Sequence, residues 1–234
     1  MTDPEQAPPD PMDWREAECE AVRSRPAARA WDEAAVGVAV DEADQEARDC
    51  LDALWEKYGR RQPEEYLKDF GLKVVPVGFS DRWPRPYFAM YDSGDMAIEV
   101  NLRLIRDVGR YLRDNGRADW VADDRMRQVA IAHELFHHLV FLRGSSGDAA
   151  ESKRHVSLRE RWRRRTASAR DAARREIVEE IAAVRFSQLM NTLDYSPLEY
   201  TRAAGELPVP EINDEGARPL FQRLVRPKDP DDFL

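Results

Sequence analysis

Three of the chain's four histidines fall within six residues, in the run His133-Glu134-Leu135-Phe136-His137-His138. Residues four apart share one face of a helix, so His133 and His137 can offer two imidazoles to a single ion. Neutral imidazole is a good zinc ligand, and Glu134 beside the first histidine is placed to act as general base on an attacking water. With four histidines and 21 glutamates in 234 residues, this HExxH pattern would arise by chance in roughly one such chain in two hundred, which favours a metal site. His138 is turned about 100° from His137 and is expected to pack or hydrogen-bond beside the ion rather than bind it.

A catalytic zinc takes three protein ligands and keeps one position open. Arg143 stands where peptidases with the longer HExxHxxGxxH pattern carry their third histidine. The remaining candidates are His155 and the acidic group Glu176, Glu179 and Glu180. Glu180 is preferred. Glu176 and Glu180 are four apart, with Ala183 and Ser187 continuing their face, and the small Ala183 leaves room for the histidine-bearing helix to approach. Ile177, Ile181 and Val184 form an adjacent apolar stripe that can pack against it. Hydrolysis at zinc also needs a donor for the developing oxyanion, and Tyr91, His155 and Tyr195 are unranked candidates.

These residues need elements to hold them. Ile131, Leu135, Leu139 and Leu142 give a helix over about 122–143 its apolar side, and Gly144 ends it. The helix bearing Glu180 is expected from a Thr166 cap to about Leu193. Upstream, residues 72–77 read as a strand placed at an edge by Pro76. Residues 86–91 and 96–101 flank Asp92-Ser-Gly-Asp95 as a hairpin, and Asn101 caps a helix over 102–115 that Asn115-Gly116 stops. A short helix starts at Pro63. From Asp13 to Tyr58 the pattern is helical, with breaks expected at Pro26 and near Gly37. The expected fold is α+β, a small antiparallel or mixed sheet packed against helices. Its parts are a leader (1–12), an acidic helical segment (13–58), a metal-bearing domain (59–195) with a basic insert (144–165), and a proline-rich tail (196–234).

The net charge of -9 conceals an asymmetry. Residues 1–52 carry fifteen acidic and five basic side chains, so the rest of the chain is almost balanced. Within it, residues 153–175 hold ten Lys or Arg against Glu160 and Asp171. The segregation suggests that the acidic segment clasps the basic insert over the cleft. An acidic chain argues against direct nucleic-acid binding. No apolar run is long enough to span a bilayer, the first residues lack the basic start and apolar core of a secretory signal, and two cysteines are too few for a disulfide scaffold, so a cytoplasmic location is expected.

The order of these signals resembles the ImmA/IrrE-type zinc metallopeptidases. Ile98-Glu-Val-Asn101 matches that family's strand pattern, Ala132-His-Glu-Leu-Phe-His137 its metal helix, and Glu180-Ile-Ala-Ala-Val-Arg-Phe-Ser187 its E-x-x-A-N-x-F-A helix. The resemblance covers about residues 60–195. It implies a zincin-like core with one zinc held by His133, His137 and Glu180, and Glu134 as the catalytic base. It further implies a regulatory endopeptidase with a narrow intracellular protein substrate, often a transcriptional repressor. The sequence departs from the family at Phe136, where glycine is usual and where a large side chain is expected to crowd the cleft. It also departs at Val184, which replaces an asparagine, and in the long interval between His137 and Glu180 that contains the basic insert. The alternative is a non-catalytic metal-binding module that uses the same cleft to hold a partner protein.

Overall fold

The computed structural model describes residues 13–77, 87–145 and 158–207, with side chains in the last stretch from residue 170 onward. The leader, the loop carrying His155, the arginine cluster 159–165 and the tail from residue 208 fall outside these backbone or side-chain descriptions.

Helix α1 (Trp14–Ser24) begins at Asp13, whose side chain accepts from the Arg15 and Glu16 N–H groups. It ends at Arg25 because Pro26 holds the preceding residue in an extended conformation, φ -76 and ψ 130. A 3-10 turn (Pro26–Ala28) leads to α2 (Glu33–Tyr58), capped by Asp32 and closed by Gly59 at φ 76. The break expected near Gly37 does not occur. Val36, Ala39, Val40, Ala43, Ala47, Cys50, Leu51 and Leu54 are buried along α2, and that burial outweighs the roughly 1 kcal/mol an internal glycine costs.

A short α3 (Pro63–Tyr66) precedes β1 (Lys73–Val77), β2 (Ala89–Asp92) and β3 (Ala97–Asn101). The sheet order is β1-β3-β2, with β1 parallel and β2 antiparallel to β3, so it is mixed. Pro76 sits on an edge strand, where a missing N–H is tolerated. The hairpin turn is tied by Asp92, whose Oδ1 accepts from the Gly94 and Asp95 N–H groups. Asn101 accepts from the Leu104 N–H and caps α4 (Leu102–Asp114).

A 3-10 stretch (Ala118–Asp124) leads to α5 (Arg125–Ser145), then α6 (Leu158–Met190) and α7 (Leu198–Gly205). Helix α6 runs through Thr166 rather than starting on it; the Arg-rich residues before it are strong helix formers. Helix α5 lies between α6 and the sheet. Its Ile131, Ala132, Leu135 and Phe136 are fully buried in a core shared with α2, α6 and the strands. The expectation that Phe136 crowds the cleft is therefore corrected. Its ring packs 5.4 Å from that of Phe186 on α6, on the core side of the helix. A second cluster of Val108, Leu112, Trp120, Met126, Val129, Tyr195 and Tyr200 joins α4, α5 and α7.

The acidic N-terminal helices share the main core. Helix α2 packs along α6, Glu42 pairs with Arg174, and Asp44 pairs with the buried Arg185. Arg174 stands on α6 beyond the 144–165 insert, whose side chains fall outside the described residues, so its pair with Glu42 is a contact between packed helices. Beneath it, Glu18 of α1 is fully buried, with no hydrogen-bond partner for either carboxyl oxygen among the described residues. Burial pushes its pKa up to about 8, against the pull of Arg185 and with Asp44 adding to the rise. The folded state thus holds this proton more tightly than the unfolded chain. Stability is full below the unfolded pKa of about 4.5, declines as pH rises, and levels off above about 8. Glu18→Gln is expected to remove that decline. Thermal melts should show the variant gaining on wild type by a few kcal/mol between pH 5 and 8; parallel pH profiles would contradict the assignment.

Candidate metal centre

His133 and His137 stand one turn apart on α5, with ring centroids 5.0 Å apart and their Nε2 atoms 3.3 Å apart. Glu180 on α6 brings Oε1 to 3.4 Å from His137 Nε2. The three ligand atoms lie within 4.8 Å of one another, and the cluster is able to coordinate a metal ion. Two ligands about 2.05 Å from a tetrahedral ion stand about 3.3 Å apart, so these separations suit zinc. Ala183 is fully buried and Ile177 and Ile181 nearly so, which is how α6 comes close enough to α5 to deliver Glu180.

The tautomer of His137 follows from its other nitrogen. Nδ1 lies 2.9 Å from Glu179 Oε1, so Nδ1–H donates to that carboxylate and Nε2 keeps its lone pair toward the cluster. Glu179 is therefore placed on the far side of the ring from the other ligand atoms. Glu176 is exposed and outside the cluster, and His155 lies outside the described residues.

Charge balance in the cluster is uneven. Burial, with the charges of His137 and Arg25, drives the His133 pKa down to about 3, so its imidazole is neutral and free to bind a cation. At His137 burial acts in the same direction, but the Glu179 hydrogen bond and the carboxylates of Glu134, Glu180 and Glu179 outweigh it and leave the pKa raised. Three carboxylates thus act on the His137 imidazole, a setting that favours positive charge there.

Glu134 is buried at the same wall, and its Oε2 accepts a 2.8 Å hydrogen bond from the Tyr91 N–H. The β2–β3 register explains that bond. Asn101 N–H bonds to Phe88 C=O, so residues 88, 90 and 92 face β3 while 89 and 91 turn their backbone groups outward to the free edge. Burial pushes the Glu134 pKa up to about 7, with Glu180 adding to the rise and His137 and the Tyr91 N–H opposing it. His138 lies outside the ligand cluster: its Nδ1 is 2.9 Å from the Tyr91 hydroxyl, and its ring packs edge-on against Phe70 and Tyr91.

These groups open into a cavity of about 710 Å³ between β2, α5, α6 and α7. Its walls are largely apolar, with Phe88, Met90, Met126, Val129, Val184 and Leu198 among them. Val184, where the resembled family has asparagine, presents only methyl groups there. Of the oxyanion candidates, Tyr91 lines the cavity, whereas Tyr195 is buried behind it, stacked on Trp120 and bonded to the Tyr200 hydroxyl.

Two contributors escape a reading of side-chain spacing. Tyr91 supports Glu134 through its backbone, and a backbone N–H has no residue signature. Arg25 reaches the cavity from the acidic N-terminal segment, and its Nη2 lies 3.7 Å from Glu180 Oε2. Pro26 marks where that chain turns, but nothing in the sequence gives its distance from residue 180. No helix among the described residues is long and apolar enough to cross a membrane. No family model, curated protein or solved structure matches this chain.

Proposed function

We propose that the protein is a zinc-dependent endopeptidase of the ImmA/IrrE-like kind, with His133, His137 and Glu180 as ligands and Glu134 as general base. The observation that carries the reading is the convergence of three ligand atoms at zinc-like spacing beside a buried carboxylate, in one peptide-sized cavity. Zinc held there supplies Lewis acidity, polarising a peptide carbonyl and making a water acidic enough to attack it near neutral pH. Glu134 takes the proton from the attacking water and delivers it to the departing amine nitrogen. The Tyr91 N–H fixes the carboxylate in place, and the apolar walls keep bulk water away from the reacting groups. An extended peptide can lie along the free edge of β2, pairing with the outward backbone groups of residue 89, while its side chains enter the apolar cavity.

The protein substrate is taken to be a narrow regulatory target, a transcriptional repressor being the kind the resemblance implies. A Glu134→Gln chain expressed in cells should retain an intact protein that wild type converts to two fragments. If no protein is both retained by the variant and cut by wild type, the endopeptidase reading fails.

Glu179 has a separable role in this scheme, because it orients a ligand without being one. Glu179→Ala is expected to weaken zinc affinity by about 10- to 100-fold while keeping one ion per chain at saturating zinc. Competition with a chromogenic chelator measures both quantities. Unchanged affinity would remove the orienting role, and loss of the ion at saturation would make Glu179 a ligand.

A further inference from the structure

We propose that Arg25 is a catalytic residue of this site, its guanidinium contacting the oxygen of the scissile carbonyl as that oxygen gains negative charge. The inference rests on the peptidase reading and supplies the oxyanion donor that spacing alone left unassigned.

The chain brings Arg25 to the cavity by a traceable route. Pro26 holds Arg25 extended, and the 3-10 turn that follows packs against α6. Ala28 of that turn is buried in the main core, which anchors the segment one turn beyond Arg25. The guanidinium consequently stands beside Glu180, within the wall that also carries His133, Glu134 and His137.

Its chemistry suits the role. Among the described residues lining the cavity, Arg25 is the only lysine or arginine, and the nearby carboxylates of Glu134 and Glu180 have other work. A guanidinium has five donors in a fixed fork. The 3.7 Å approach of Nη2 to Glu180 Oε2 is an ion-pair distance longer than a hydrogen bond, which places the guanidinium beside the ligand cluster and leaves its donors available to a carbonyl oxygen. Glu180 can bind an ion through Oε1 and keep Oε2 for Arg25, so the two interactions are compatible. The competing donors are less suitable: Tyr195 is buried away from the cavity, and the Tyr91 hydroxyl is engaged by His138. A cation next to the reacting carbonyl stabilises the charged transition state more than the neutral ground state.

The consequence for the N-terminal segment reverses the simplest reading of its acidity. A clasp would restrain the enzyme, and removing its contact would raise activity. A segment that delivers a transition-state contact is part of the machinery, and loss of Arg25 lowers activity.

The experiment compares wild type, Arg25→Ala and Arg25→Lys, each zinc-loaded and full length. Three quantities are read: zinc content, kcat and KM on fluorescent casein, and affinity for inorganic phosphate by calorimetry. Arg25→Ala should keep one zinc and lower kcat about 100-fold with KM changed less than about threefold. Phosphate, which carries the negative charge of an oxyanion, should bind about tenfold more weakly to the variant. Arg25→Lys should fall between, because a point charge replaces the fork. Unchanged kcat, an effect confined to KM, or increased kcat would overturn the proposal, the last in favour of a restraining clasp. If wild type holds zinc but leaves casein intact, the peptidase reading is what fails for this substrate; phosphate affinity then decides on Arg25, equal binding by wild type and variant overturning it.

Discussion

Zinc-loaded Glu134→Gln protein is expected to retain its ion and to hydrolyse casein about 10²- to 10⁴-fold more slowly than wild type. The substitution is close to isosteric, and the amide oxygen of glutamine can accept the Tyr91 N–H bond that Glu134 Oε2 accepts at 2.8 Å. The buried wall of the cavity keeps its shape. What disappears is the ability to take a proton. Glu134 is suited to that task because burial has pushed its pKa up to about 7, making it a stronger base than an exposed carboxylate. A cation bound by the neighbouring ligands draws the carboxyl back toward its ionised form, the form a general base requires. The measurement is an initial rate paired with metal content on the same sample. Hydrolysis at the wild-type rate with zinc bound would remove Glu134 from the mechanism.

The second large effect concerns His137, which touches both other members of the ligand cluster and Glu179. Its Nε2 faces both His133 and Glu180, and its Nδ1–H is held by Glu179. His137→Ala deletes one ligand and leaves Glu179 and Glu180 without the imidazole they share. Zinc that binds only the folded state stabilises it by RT ln(1 + [L]/Kd), about 4 kcal/mol at a thousandfold excess over Kd. Wild-type protein should therefore melt several degrees higher with zinc than with chelator, for a chain of this size roughly 10 °C. The variant should give one melting temperature in both conditions. An equal zinc-induced shift in the two proteins would show that the ion binds elsewhere.

Much of the centre is legible in the sequence because it obeys local rules. Helical spacing puts His133 and His137 on one face, and the same rule turns His138 away, where it meets Tyr91. Glu180 is legible through its neighbours, since Ala183 is small enough to let α5 approach and Ile177 and Ile181 fill the contact. The hairpin and the Asn101 cap are equally local, each written in a few adjacent residues. Phe136 is misread because a family difference in one position does not say which way the side chain points. Here the core side of α5 meets Phe186, and the ring goes there. Gly37 is misread for a related reason, as burial along α2 overrides a local breaker. Arg25 and the Tyr91 N–H are contributed by tertiary packing across long stretches of chain, and neither has a spacing to betray it. The sheet is legible as antiparallel or mixed, and the parallel pairing of β1 with β3 that decides for mixed spans a connection whose direction composition does not encode.

The charge asymmetry also changes meaning once the helices are in place. The acidic residues of α2 include Glu42 and Asp44, which meet Arg174 and Arg185 across the interface with α6. That interface supports the helix on which Glu180 sits. The acidic segment and the ligand-bearing helix are thus parts of one packed unit, and Arg25 extends that unit into the cavity.

Metal analysis of the purified chain tests whether His133, His137 and Glu180 together hold one zinc ion. Protein equilibrated with zinc and desalted is expected to carry one ion per chain, with His137→Ala prepared in parallel carrying none. A wild-type chain free of zinc after that treatment, or a variant that carries as much, would rule out these three residues as the zinc site.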